Sequence, residues 1–352
     1  MDNALFEYTA NLHVHTTFSD GKGRIEHVIS AARDARLDLL LINDHDTLEG
    51  RDKGYEGYHD SLLVLIGTEF SGPHNHYLAY GLEQVFDYDW QSPQGFIDRT
   101  RAAGGIGFLA HPFEKGSPLT DRTHAFTWDD WSVTGFDGIC LWNFSSNWKS
   151  RAKTVPRAFY RYFIRAKTLE GPEKETLAKW DELGRTRPVS AIGGSDAHAY
   201  SYGPGLLKFT FFSYSYLFRA INTHVLLPQK LTGDLETDRP LVYQALAKGS
   251  CYVAHDKLGS IKNFDFWLAN DHIRRCGQGE ETDLKTGDYL CWRIPEQGRA
   301  RLLRDGQAVS EITSNRDWFP VPGPGVYRME IKKPTLLFGQ RPWIFSNAIY
   351  IR

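Results

Sequence analysis

The stretch Asn11-Leu12-His13-Val14-His15-Thr16-Thr17-Phe18-Ser19-Asp20-Gly21 sets two histidines one residue apart and follows them with a carboxylate in a turn. Alternation along a strand puts His13 and His15 on one face and Leu12 and Val14 on the other. Two neutral imidazoles so placed can grip one metal ion, and imidazole suits zinc, iron, copper or nickel. Asp20, in the Ser-Asp-Gly turn, offers an oxygen to the same place. The competing reading is a polar pair at an ordinary strand end, and this stretch alone does not decide between them.

Later segments repeat the event. The apolar run 37–42 ends at Asn43-Asp44-His45-Asp46-Thr47, and the run 61–66 ends at Gly67-Thr68-Glu69, with His74 and His76 just beyond. Residues 105–110 end at His111-Pro112, residues 136–142 at Asn143, and residues 188–194 at Ser195-Asp196-Ala197-His198. Isolated ionisable groups are expensive to bury unless they are paired or bound to a cation. A metal cluster shared by these strand ends meets that cost, whereas scattered unpaired carboxylates would not.

The elements that must position these groups follow from periodicity. Ile25, Val28, Ile29 and Ala32 share one face of a helix over 24–36, between two strands, which makes a β-α-β unit. Uninterrupted apolar strands suit a parallel sheet covered on both faces. In closed α/β barrels the C-terminal ends of such strands are where active sites are built. Further expected elements are a short strand over 77–81, a helix over 93–103, a helix over 241–249 ending in a glycine cap, and a strand over 251–254.

With 352 residues the chain is long enough for a large α/β domain, residues 1–259, and a smaller one, residues 260–352. The second shows short alternating strands over 264–268, 289–294, 300–304, 326–331 and 348–351, the pattern of a small antiparallel sandwich. It holds no cluster of ligand-type residues and is expected to be structural or one wall of the cleft. Residues 144–187 interrupt the first domain with Lys149, Arg151, Lys153, Arg157, Arg161, Arg165 and Lys167 among aromatic residues. This is either a solvated helical insertion with its aromatics packed inward or a lid whose arginines, Arg161 and Arg165, meet an anionic substrate.

Net charge is −2, so no global field favours nucleic acid or an anionic membrane. The four cysteines are scattered without a Cys-X-X-Cys pair, the usage of a reducing compartment. The N-terminus lacks a basic head and apolar run, and no stretch approaches the ~20 apolar residues of a membrane span. A cytoplasmic protein is expected, with a small anionic substrate as its partner.

With these motifs the chain resembles the PHP (polymerase and histidinol phosphatase) superfamily, and within it the carbaryl-hydrolase-like branch of metal-dependent phosphoesterases. The resemblance covers about residues 9–260 and rests on residues 11–21, 43–47, 109–112 and 194–199. Residues 303–306 and 341–350 are similar to the β-sandwich that often follows this branch. The resemblance implies a distorted (β/α)7 barrel carrying two or three divalent ions (Zn, Mn or Fe) at its C-terminal rim. It implies one ion on His13, His15 and Asp196, a second on His76 and His111 bridged to the first by Glu69, and a third on Asp20, His45 and His198. It also implies that Asp44 orients a ligand imidazole, and that His74 either supports the ligands from behind or contacts substrate. Where the family often has an acidic residue, this chain has Cys140, which alters the local network.

The expected chemistry is hydrolysis of a phosphate ester by a hydroxide bridging the metals, with Glu69, Asp196 and His198 as catalytic groups. The same centre could attack a carboxylester or carbamate. A noncatalytic, metal-stabilised binding module is the remote alternative; a closed, saturated site would mark it.

Overall fold

The computed structural model of the chain describes residues 5–119, 124–164, 169–202, 209–210 and 212–352. Strands β1 (Phe6–Leu12), β2 (Leu39–His45) and β3 (Leu62–Phe70) pair in parallel. Strand β4 (Tyr77–Tyr80) is antiparallel to β3 and to β5 (Ile106–Leu109), after which β6 (Gly138–Asn143) and β7 (Ser190–Gly194) return to parallel. On its other side β1 takes β8 (Ile221–Leu227) and β8 takes β9 (Cys251–His255), both antiparallel. The chain leaving β7 lies against the chain leaving β1: Ser195 N donates to Leu12 O, Ala197 N to His13 O, and His15 N to Ala197 O. Gly194 permits that approach, since a Cβ there would stand 2.0 Å from the Leu12 carbonyl oxygen.

The two faces of this sheet bury separate cores, which explains its apolar runs. Leu39, Leu41, Leu63 and Leu65 pack with Ala10, Leu12 and Phe108. Leu40, Ile42, Val64 and Ile66 pack on the other face with Ile25, Val28, Ile29 and Ala32, the apolar stripe of the helix Ile25–Ala35. That helix ends where Arg36 turns left-handed, at φ 60°.

Several boundaries differ from expectation. β2 and β3 run on through His45 and Glu69, because a parallel neighbour satisfies their backbone to the end of the register. The helix expected over 241–249 begins six residues earlier, at Leu235, where the Asp234 side chain accepts from Thr237 N. Pro240 falls in its second turn, and Gly249 supplies the expected left-handed cap. Strand β8 was not apparent because Asn222 and His224 interrupt its apolar pattern. Both are buried: Asn222 donates to Phe218 O and Asp256 Oδ2, and the His224 ring lies 2.8 Å from Glu7 Oε1 and 3.1 Å from Asp256 Oδ1.

The C-terminal region is strand-rich, with an antiparallel four-stranded sheet. Asp265–Asn270 lies between Ile273–Gly277 and Tyr289–Arg293, and Arg316–Pro320 pairs with the last of these. The strands Gly325–Thr335, Gly339–Ser346 and Ile349–Ile351 belong instead to the first sheet, which crosses the expected 259/260 division where β9 pairs with Gly339–Ser346. Asn347 donates to Ala191 O and Cys251 O, fastening that junction. All four cysteines are free. Among the described residues no helix is long and apolar enough to cross a membrane.

The insertion forms the helices Phe144–Arg151, Val155–Ile164 and Lys174–Gly184. In the middle one Tyr162 packs against the core, while Phe159, Tyr160 and Phe163 are exposed, the last at 72%, so only part of its aromatic set packs inward. The last is pinned to the C-terminal strands by a buried fork: Arg328 donates to Asp181 Oδ1 at 2.6 Å and Oδ2 at 2.8 Å, and to Glu330 Oε1 at 2.8 Å. Removing one partner from a buried pair strands the other charge. Asp181→Ala should therefore lower the free energy of unfolding in urea by about 3 kcal/mol. A much smaller loss would show that the fork does not hold the insertion.

Candidate metal centre

Glu69 is 1% exposed and has five imidazoles around its carboxylate. Oε2 lies 2.8 Å from His13 Nε2, 3.2 Å from His15 Nε2 and 3.4 Å from His45 Nδ1. Oε1 lies 2.9 Å from His76 Nδ1 and 3.3 Å from His111 Nε2. Strand alternation delivers Glu69 and His45 here, since they share a face with Leu63 and Leu65, and with Leu39 and Leu41.

The histidine pair arrives by a different route from the one expected. β1 stops at Leu12, and His13 takes a left-handed φ of 64°. Leu12 then packs in one core and Val14 in the other, so the two apolar residues do not share a face. The kink turns His13 and His15 toward Glu69. His111, at φ 26°, and Asp196, at φ 52°, are also left-handed. Such backbone costs of order 1–3 kcal/mol per residue and collects where a site fixes side-chain direction.

Among the groups of donors that come within reach of single ions are three built from expected residues: His13, His15 and Asp196; His13, Glu69 and His111; and His15, Asp20, His45 and His198. Asp196 Oδ1 stands 3.5 Å from both His13 Nε2 and His15 Nε2 and 3.4 Å from His198 Nδ1. Asp20 Oδ1 stands 3.1 Å from His198 Nε2 and 3.6 Å from His45 Nε2. His13 Nδ1, both nitrogens of His15, His45 Nδ1 and Asp20 Oδ1 are buried without a hydrogen-bond partner. Unpaired atoms of these types, converging on one place, fit divalent cations. The first two groups are buried, while the Asp20 side chain is 44% and that of His45 25% exposed, so the third faces the opening.

Protons offset part of the charge in the cluster when no cation is bound. Burial pushes the Glu69 and Asp196 carboxyls up, but the surrounding imidazoles overcome this and hold both well below the usual range. Burial drives the His15 and His111 imidazoles down, and the facing carboxylates reverse it, raising them to about 10 and about 9. His45 is lowered to about 4 by burial, which the carboxylates offset only in part.

Expected residues settle as follows. His76 touches the cluster through Glu69, while its Nε2 lies 2.9 Å from Gly72 O. His74 stands apart, its ring 5.5 Å from that of His124 and its Nδ1 buried without a partner. Asp44 does not orient a ligand imidazole: it accepts from Thr16 N, Thr16 Oγ1 and Ser19 Oγ, and so shapes the turn that carries Asp20. Arg161 donates to Glu170 at 2.6 Å. Arg165 lies outside the described residues. Acids at 170, 173 and 175, not weighed in the sequence, pair with Arg151, Arg161 and Lys115.

Sequence reasoning missed Glu114 and Tyr200. Glu114 is buried with Oε2 3.7 Å from His111 Nδ1, accepts from Ser146 Oγ, and can share an ion with His111 and Asp196. Its only signal was an acid three residues after a rim histidine. Tyr200 donates to Asp20 Oδ2 at 2.6 Å and stacks on the His198 ring at 4.9 Å. Cys140 is buried, and its thiol is pushed up to about 12 by that burial, so it stays neutral.

Residues 11–123 match the PHP domain. That span carries His13 through His111 and ends before Asp196 and His198. No curated protein matches the chain significantly. Among solved structures it is similar to a two-domain protein from Bacteroides vulgatus containing a predicted PHP-like metal-dependent phosphoesterase, at 12% identity and a TM-score of 0.46, over 99% of this chain and 96% of that one. A protein from Bifidobacterium adolescentis assigned as a metal-dependent phosphoesterase gives 18% identity and a TM-score of 0.33, over 58% of this chain and 93% of that one. An amidohydrolase from Chromobacterium violaceum gives 16% and 0.33, over 54% and 87%.

Ligation requires neutral imidazoles, so cations must displace the protons on His15 and His111. Those protons stabilise the metal-free fold fully below pH ~6.5 and are lost as pH rises through about 9 to about 10. Zinc titration calorimetry at neutral pH, in buffers of differing ionisation enthalpy, should show at least one proton released per chain, and affinity should rise with pH over that window. Heats independent of buffer would contradict the arrangement.

Proposed function

We propose that the protein is a metal-dependent hydrolase, a phosphoesterase of the carbaryl-hydrolase-like PHP branch, acting on a small-molecule phosphate ester. The observation that supports this most is the Glu69 hub, buried on all sides but the one where Asp20, His45 and His198 meet solvent. A purely structural metal site would be closed there. On this reading strands β1 to β7 make a distorted (β/α)7 barrel, sealed where residues 195–197 meet residues 12–15, with the cluster at its C-terminal rim.

His13, His15 and Asp196 would hold one ion, Glu69, His76 and His111 a second, and Asp20, His45 and His198 a third, with zinc, manganese or iron suited to these donors. Such ions, when bound, bring the pKa of water to about 7 and neutralise phosphate oxygens. The chain's own groups do the rest. Glu69 and Asp196 stay ionised and exclude water from the deep side. The His198 ring is fixed from both sides, with Nδ1 3.0 Å from Asp196 O and Nε2 3.1 Å from Asp20 Oδ1. A proton donated through Nδ1 to that carbonyl leaves the Nε2 lone pair for the third ion; with only two ions held, Nε2 would instead carry the proton that passes to the departing alkoxide at the open face. Tyr200 holds Asp20 by hydrogen bond and His198 by stacking. Lys149, with Nζ 3.7 Å from Glu114 Oε1, brings an insertion cation beside His111.

Parallel assays with nitrophenyl phosphate, bis-nitrophenyl phosphate and nitrophenyl acetate test the proposal. Phosphoester turnover should depend on added divalent metal, fall roughly 10³-fold in Glu69→Ala, and fall about 10²–10⁴-fold in His198→Gln with KM little changed. Turnover of the acetate alone would replace this reading with a carbon-ester hydrolase.

A further inference from the structure

A cleft of about 1170 Å³ lies away from the metal centre. It lies over the outer face of the four-stranded C-terminal sheet and reaches Phe6 and Glu7 at the start of β1. Glu7 and His13 are six residues apart, roughly 20 Å at about 3.3 Å per residue of strand. The cleft is therefore a separate feature at the opposite end of β1.

Register decides what this sheet face displays. Phe266, Leu268, Leu290 and Trp292 are buried in the core beneath. Their alternates point outward in rows across three strands: Asp265–Arg293–Arg316, then Trp267–Cys291–Trp318, then Ala269–Tyr289–Pro320. Trp318 is 60% exposed. One strand lies between Trp267 and Trp318, so two inter-strand steps of about 4.8 Å set them roughly 10 Å apart. That is too wide to clamp one ring and wide enough to seat two.

Charge on this face is uneven. Glu7 is taken by His224, Tyr252 and the backbone of Asn263, and Asp265 accepts both contacts of Arg274, whose guanidinium lies 5.6 Å over the Trp267 ring. Arg293 and Arg316 stand directly opposite one another, an arrangement that destabilises a bare sheet. Neither Lys262 nor the Arg316 guanidinium has a partner among the described residues, and the free acid is Asp317. Arg293 donates to Asn263 O at 3.0 Å and lies 4.0 Å from Asp265, which leaves Arg316 and Lys262 as the unneutralised cations. Beside an exposed Trp318 and a half-buried Trp267, they suit a polymer that alternates planar rings with negative charge.

We propose that this face binds single-stranded nucleic acid, stacking two bases on Trp267 and Trp318 while Arg293, Arg316 and Lys262 meet the intervening phosphates. Base stacking on aromatic side chains is tolerant of sequence, and guanidinium groups suit phosphate. The near-neutral chain adds no long-range attraction, so binding rests on these local contacts and is moderate and salt-sensitive. Neutral polysaccharides would stack on the same rings but leave the cations unmatched.

Fluorescence anisotropy of a labelled thymidine oligonucleotide of about 12 nucleotides on the full chain tests this directly. Saturable binding is expected, with a log–log salt slope of about −2 for two to three phosphate contacts. Trp318→Ala should weaken it roughly fivefold to a hundredfold, and Arg316→Glu should weaken it while flattening the salt slope. Both side chains are exposed, so thermal stability and nitrophenyl phosphate turnover should be unchanged. No saturable binding at about 50 mM salt, binding indifferent to Trp318→Ala, or tighter binding of heparin with the same loss in that variant would overturn the proposal. Because these readouts do not depend on turnover, failure here leaves the hydrolase reading standing.

Discussion

A carboxylate with almost no exposure and five imidazoles within about hydrogen-bonding reach is the constraint that organises this molecule. Taking an isolated carboxylate out of water carries a penalty of several kcal/mol. Glu69 meets it only because strands β1, β2 and β5 and the start of β4 all deliver nitrogen donors to the same few ångströms. Asp196 repeats the arrangement at a second corner, with Asn143 donating to its free oxygen at 3.3 Å. Without a cation His15 and His111 hold protons in its place, whereas burial lowers His13 and His45, so protons replace only part of the cation's charge.

The backbone is bent to serve this cluster. His13, His111 and Asp196 are each left-handed, and each immediately follows a segment that is regular strand or nearly so. A continuing strand would send the next side chains to alternate faces, whereas the kink keeps them on the cluster side. Asp44 and Tyr200 act one step further out. The first shapes the turn bearing Asp20 and the second holds its carboxylate, so the exposed corner is as firmly placed as the buried ones.

Much of this was legible in the residues and some was not. Buried parallel strands were readable as unbroken apolar runs, and the polar residues at their ends were readable as candidate ligands because nothing else explains them there. What the pattern could not show was the kink at His13: alternation gives the right direction for the imidazoles but the wrong one for Val14. Strand β8 was hidden because its polar residues, His224 above all, are satisfied by Glu7 and Asp256, partners distant in sequence. The same holds for Arg328, whose partner Asp181 is 147 positions away. The insertion's arginines looked available for substrate because their acidic partners at 170 and 173 were not weighed against them.

The central claim is that Glu69 joins donors for more than one ion. Metal content of the purified protein, measured by mass spectrometry beside the Glu69→Ala variant after equal exposure to zinc and manganese, tests it most directly. Two or three ions per chain in the native protein, with at least two lost together in the variant, is the result this account predicts. One ion or none in the native protein, or a full complement retained without Glu69, would contradict it.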